Sequence, residues 1–208
     1  IRGALREFKT AMDTYAANGG RVAYASKACS FKELYRIVNE EGCGADVVSG
    51  GELYTALQTG FPADRLYFHG NNKSDAELRM ALEAGVGRIV VDNPEELHRL
   101  SDMAGTMGKM AAVYLRITPG VEAHTHSFIR TGQIDSKFGF TLENGEALRG
   151  AAEAVKLNAI TLKGFHCHIG SQIFDDEPFV EAADVMLTFM QQVRETTGVT
   201  VGELNLGG

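Results

Sequence analysis

No apolar run in this chain approaches the length needed to cross a bilayer, so nothing in it reads as a membrane span. Its first residues are an amphipathic, charged stretch without the apolar core of a signal peptide. Basic clusters are missing too. Lys and Arg number 20 against 27 Asp and Glu, for a formal charge of −7. That balance argues against a general nucleic-acid binder or a ligand of anionic membrane surfaces. Cysteine is scarce: Cys29, Cys43 and Cys167 form an odd set with no paired spacing. A disulfide framework is not expected, and a reducing cytoplasm is the expected location. What is present is an ordinary globular composition of 208 residues, 44% of them hydrophobic, with 24 glycines. That is enough chain for one sizeable core.

The order of elements is legible. Ile1 to Asn18 reads as a helix with Leu5, Phe8, Ala11, Met12 and Tyr15 on one stripe. Arg21 to Ala28 reads as a first strand. Ser30-Phe31-Lys32-Glu33 then offers a capping box ahead of Leu34, Ile37 and Val38, with Gly42 as the stop. Strands follow at Ala45–Val48, Arg65–His69, Arg88–Asp92, Ala111–Ile117, Ile160–His168 and Glu203–Leu206. Ser49, Ser74 and Asn93 are helix caps between them, and Pro94 takes a first helical position. Helical patterns near 143–157 and 176–196 fill the last gaps. Unbroken alternation of strand and helix demands a parallel sheet.

An open doubly wound sheet and a closed (β/α)8 TIM barrel both satisfy that order. Polar residues recur at the C-terminal ends of most strands: Lys27, Asp46, His69, Asp92, Arg116 and His168. An open sheet concentrates its site at one switch point, whereas a barrel gathers every strand end around one mouth. The expectation is therefore an α/β barrel with about seven of its eight strands present. The chain stops on Leu206-Gly207-Gly208, just after a strand and within a glycine turn. It reads as a piece of a longer polypeptide, cut before the last strand.

Lys27 is the residue that most directly suggests chemistry. On a continuous strand, Ala23, Ala25 and Lys27 share one face, and two alanines leave room beside the amine. A partly desolvated lysine loses its proton near neutral pH and attacks a carbonyl, as a Schiff base requires. A lone strand-end lysine is more often a surface residue, so the rest of the chain has to carry the argument. His166 and His168 lie two apart at the end of another strand. They suit either metal chelation, as in barrel hydrolases, or an imidazole laid against a planar ring. Gly170-Ser171 and Gly207-Gly208 are turns whose backbone amides and hydroxyl suit a phosphate. An amine on an early strand and phosphate-binding turns on late ones fit a planar aldehyde that carries a phosphate.

Tyr24-Ala25-Ser26-Lys27-Ala28 resembles the Schiff-base motif of the alanine-racemase-like (fold-type III) pyridoxal-phosphate decarboxylases. Further motifs occur in the family's order. They are Asp46-Val47-Val48-Ser49-Gly50-Gly51-Glu52-Leu53, Phe68-His69-Gly70-Asn71-Asn72-Lys73-Ser74 and Val91-Asp92-Asn93. Next come His124-Thr125-His126 with Thr131-Gly132, Ser136-Lys137-Phe138-Gly139, and His166-Cys167-His168-Ile169-Gly170-Ser171-Gln172. The resemblance covers essentially the whole chain. It implies that Lys27 bonds to pyridoxal 5'-phosphate, that His168 stacks on its ring, and that Ser171, Gly207 and Gly208 hold its phosphate. Asp46 and Arg116 match positions that line the pocket near the lysine. Lys137 matches a lysine near the partner subunit's contribution, and His166 a position without a constant role.

By the same resemblance the protein is a homodimer with active sites at its interface and an amino acid as substrate. A C-terminal β-domain, absent from this chain, completes the substrate site. The His124 to Gly139 segment favours the branch that converts meso-2,6-diaminopimelate to L-lysine and CO2 over those acting on ornithine or arginine. Two other readings stay open at this point: a metal-dependent barrel hydrolase built on His166 and His168, and a barrel retained only for binding or regulation.

Overall fold

The computed structural model describes residues 1–16, 18–121, 138–171 and 173–207. The chain divides into two units, Ile1–Ile89 and Val90–Gly208. In the first, α1 (Arg2–Tyr15), β1 (Ala23–Ala25), α2 (Lys32–Glu40), β2 (Gly44–Val47), α3 (Gly50–Leu57), β3 (Leu66–Phe68) and α4 (Asp75–Ala84) alternate up to β4 (Arg88–Val91). These strands pair in chain order and all are parallel. Ala25 lies opposite Asp46, Asp46 opposite Tyr67, and Phe68 opposite Ile89. Parallel neighbours need a crossover, which α2, α3 and α4 provide.

The second unit contains α5 (Pro94–Thr106), β5 (Ala111–Thr118), β6 (Phe140–Thr141), α6 (Glu146–Ala154), β7 (Ile160–His166), α7 (Glu177–Thr197) and β8 (Glu203–Asn205). Here β7 pairs with β5 on one side and β8 on the other, again in parallel. Alternating helices and parallel strands make this the α/β class of the (β/α)8 barrel, as expected. Every strand anticipated from the sequence is present. The additional β6 pairs Phe140 with Ile117; two residues are too short to carry a periodic signal.

Helix starts follow the side chains placed ahead of them. The Ser74 hydroxyl and the Glu77 carboxylate complete a capping box at α4. Ser49 accepts from the Glu52 amide, and Asn93 from the Glu96 amide with Pro94 behind it. The box expected at Ser30 does not form. α2 is instead capped by Phe31 without a side-chain bond, because the helix begins one residue later than that box requires. The stripe expected on α1 is also largely exposed, with only Leu5 buried and Phe8 and Tyr15 open to solvent.

The largest correction concerns β1, which ends at Ala25. Ser26–Ala28 forms a 3-10 turn closed by the Cys29 amide on Ser26 O at 3.0 Å. Lys27 therefore does not share a strand face with Ala23 and Ala25. Ser26 is the physical reason. It is buried, and its hydroxyl lies 2.6 Å from Asp46 O and 2.7 Å from Glu52 Oε2. That anchorage draws the chain out of the pleat.

Glu77 also ties two helices together, since Gly50 N–H donates to Oε1 at 2.7 Å and Ser74 N–H to Oε2 at 2.8 Å. These bonds, Ser74's the stronger influence, hold its carboxyl below the ordinary value. A depressed folded-state value stabilises the fold above the unfolded value near pH 4.5, and the contribution is lost as pH falls through the lower folded value. Glu77→Gln is expected to lose about 1 kcal/mol at pH 7 and to flatten the acid limb of the thermal midpoint measured between neutral and acidic pH. An unchanged acid limb would remove Glu77 from the acid-sensitive groups.

Candidate active site

In the first unit the candidate side chains lie where strands hand over to turns. Tyr24 Oη donates to Cys29 O at 3.1 Å and braces the turn that carries Lys27. Lys27 itself is exposed, so the desolvation expected of its amine is not supplied by the described residues. One strand over, Ala45 and Val47 are fully buried and Asp46 faces the opposite side of the sheet. Asp46 Oδ1 is buried, accepts no hydrogen bond from a described residue, and sits 3.5 Å from His69 Nε2. His69 follows β3, and its amide donates to Val47 O at 2.8 Å. A carboxylate and an imidazole thus meet beside a strand end.

In the second unit, β5 buries Val113, Leu115 and Ile117 on one face and turns Tyr114 and Arg116 to the other. Tyr114 Oη donates to Glu203 Oε2 at 2.7 Å. Room for that ring requires Gly164, where an added Cβ would stand 2.7 Å from Tyr114 and 2.3 Å from Glu203 O. Arg116 pairs with the buried Asp92 at 3.5 Å and stacks over Phe138 at 4.6 Å. The guanidinium is thereby aimed by an acid on one side and a ring on the other.

β7 ends at His166, which is buried, whereas His168 lies past the strand and is half-buried. His166 Nδ1 is 3.1 Å from Asn205 Oδ1, and the Gly207 amide donates to the same oxygen at 2.8 Å. Gly207 has φ +74°, and a Cβ there would stand 2.8 Å from both Cys167 O and His168 Nδ1. The glycine turn is therefore packed directly against His168. Its own N–H is engaged by Asn205, so this glycine contributes shape and clearance. Ser171 is exposed. Gly208, Lys137, His124 and His126 lie outside the described residues.

Asn205 enters the site without having been singled out from the sequence, whereas His69 is one of the strand-end polar residues visible there. Asn205 had a usable signal, because Asn two residues before Gly is the spacing of an Asx turn. No group of three or more His, Cys, Asp and Glu among the described residues is arranged to hold a metal ion.

The thiols separate cleanly. Cys29 is exposed while Cys43 and Cys167 are buried. Burial pushes the Cys43 thiol up and the Cys167 thiol up to about 11. Alkylation of the native protein at pH 8 should label Cys29 at least ~100-fold faster than the other two, with all three equal in denaturant. Rapid labelling of Cys167 in the native state, read by peptide mapping, would contradict its packing.

Residues 1–208 match the family model described as pyridoxal-dependent decarboxylase, pyridoxal binding domain. The whole chain is 51% identical to 47% of the diaminopimelate decarboxylase of Bacillus subtilis. It is also similar to the crystal structure of diaminopimelate decarboxylase from M. jannaschii, with 35% identity and a TM-score of 0.90 over 100% of this chain and 48% of that one. A second structure of that enzyme, in complex with L-lysine, matches with 39% identity and a TM-score of 0.83 over 90% of this chain and 43% of that one. The chain thus spans about half the length of the relatives it matches. The match leaves no place for the metal-hydrolase reading of His166 and His168: this chain belongs to the pyridoxal-dependent decarboxylases, as their pyridoxal-binding domain.

Proposed function

We propose that the whole protein removes one carboxylate from meso-2,6-diaminopimelate to give L-lysine and CO2, with pyridoxal 5'-phosphate held in this domain. The observation that carries the reading is the 51% identity, over every residue of the chain, with a diaminopimelate decarboxylase. A related enzyme seen with L-lysine bound supports the assignment of the product. When bound, the cofactor supplies the electron sink that a carbon needs as it loses CO2.

The residues on hand fit such a group. Lys27 presents an accessible amine on a braced turn, suited to hold the cofactor covalently. Asp46, with a buried oxygen that accepts no hydrogen bond from a described residue and His69 beside it, offers a site where a proton is held or moved. In the second unit, Arg116 is held by Asp92 and Phe138 to act on negative charge. His168 is placed against a turn in which a side chain would collide with it, which suits a ring lying on the imidazole. Ser171, Gly207 and Gly208 are the proposed phosphate residues. A homodimer with active sites at its interface, a second domain beyond these residues and a cytoplasmic location belong to the same proposal. No described helix is long and apolar enough to cross a membrane.

The test uses the full-length protein loaded with pyridoxal 5'-phosphate. An absorption band at about 420 nm should collapse on borohydride reduction and leave a tag on Lys27. Supplied with meso-diaminopimelate, ornithine or arginine, the protein should release CO2 from the first alone and form lysine. Preferential turnover of ornithine or arginine would replace the substrate assignment.

A further inference from the structure

We infer that Asn205 and His166 form a positioning pair that holds the Gly207 turn in the shape that receives a phosphate. The pair thereby sets the chain's preference for a phosphorylated over an unphosphorylated ring. The inference rests on the pyridoxal-phosphate reading proposed above.

Asn205 Oδ1 is used twice, by the Gly207 amide at 2.8 Å and by His166 Nδ1 at 3.1 Å. An amide oxygen only accepts, so His166 carries a proton on Nδ1. The position of that proton is fixed from outside the turn. His166 is 5% exposed, ends β7, and stands in register with Asn205 on β8. Its ring therefore directs the Asn205 oxygen toward the one amide that closes the turn. Gly207 needs such a hold because glycine loses more freedom than any other residue when a single conformation is required. The hold also matters sterically, since the turn abuts His168 Nδ1 and Cys167 O with no room to spare.

The strand pairing does not depend on these side chains. Cys167 N–H donates to the backbone oxygen of Asn205 at 2.9 Å, and Phe165 and Cys167 are fully buried on either side of His166. Removing the Asn205 side chain should leave β7 and β8 joined and release the turn alone.

The experiment titrates the full-length apoprotein with pyridoxal 5'-phosphate and, separately, with pyridoxal, which lacks the phosphate. Asn205→Ala should bind pyridoxal 5'-phosphate about tenfold more weakly, the scale of one or two hydrogen bonds, and bind pyridoxal as the wild type does. His166→Ala should move the same ratio in the same direction by a smaller factor. The double variant should match Asn205→Ala within about twofold, because His166 acts through Asn205. Unchanged affinity for the phosphorylated ring in Asn205→Ala overturns the inference. So does an equal loss for both probes, which is the signature of general destabilisation. Additive losses in the double variant would separate the two residues and remove the pair. If the wild type gains no visible band and no tag on Lys27, the underlying reading of the site fails, and that result is distinct from every outcome in the variants.

Discussion

Lys27→Ala in the full-length protein should reduce turnover by at least on the order of 10³-fold and abolish the borohydride tag. The expectation rests on what each neighbour of Lys27 offers. Among the first unit's strand-end residues, Asp46 presents a carboxylate and His69 an imidazole, and neither presents an amine. The turn is also poorly placed to substitute another residue. Ser26 is buried and anchored to Asp46 O and Glu52, and the Tyr24 hydroxyl braces Cys29 O. Those anchors do not involve the Lys27 side chain, so the variant should fold and keep a thermal midpoint near that of the wild type. Loss of turnover with an intact melt would assign the effect to chemistry. Retained turnover with cofactor still tagged at another lysine would end the assignment of Lys27.

Gly207→Ala should weaken binding of pyridoxal 5'-phosphate on the order of 100-fold. Two costs combine. A side chain in the left-handed region costs about 1–2 kcal/mol, and φ at Gly207 is +74°. The added Cβ would also stand 2.8 Å from a backbone oxygen and from His168 Nδ1, and relieving such overpacking costs about 1–3 kcal/mol. Both are relieved only by moving the turn or His168, the two features proposed to meet the cofactor. Gly202→Ala is the matched control, because nothing lies within 4 Å of a Cβ there and its φ is not in the left-handed range. That variant should bind cofactor as the wild type does. Equal affinity in Gly207→Ala, measured by titration of the apoprotein, would remove this turn from the phosphate site.

Asn205 and Gly207 illustrate where reading the chain falls short. The sequence shows a glycine pair after a strand and suggests amides free to approach a phosphate. In the fold, the first of those amides is taken by Asn205, and Asn205 is in turn addressed by His166 from the neighbouring strand. That relation joins positions 39 residues apart, and it depends on the register of β7 on β8. Local pattern carries no information about register between strands that a long helix separates in the chain. The same holds for Asp92 and Arg116, each visible as a strand-end polar residue but paired only across the fold.

What the chain determined by itself was the succession of elements and the family. Caps at Ser49, Ser74 and Asn93, apolar periods of two and of 3.6, and glycine stops are local signals, and local signals act within a few residues. The motifs around Lys27, Asp46 and His168 are likewise contiguous, so they were legible without a structure. What only the tertiary structure decided was how those motifs are presented. Ser26 reaches Asp46 O and Glu52 on other elements, and by doing so it bends Lys27 out of the strand its sequence suggests and leaves its amine exposed. Hydrogen bonds between distant segments outweigh the weak preference of three residues for a pleat, and their partners are chosen by packing that no short stretch of sequence contains.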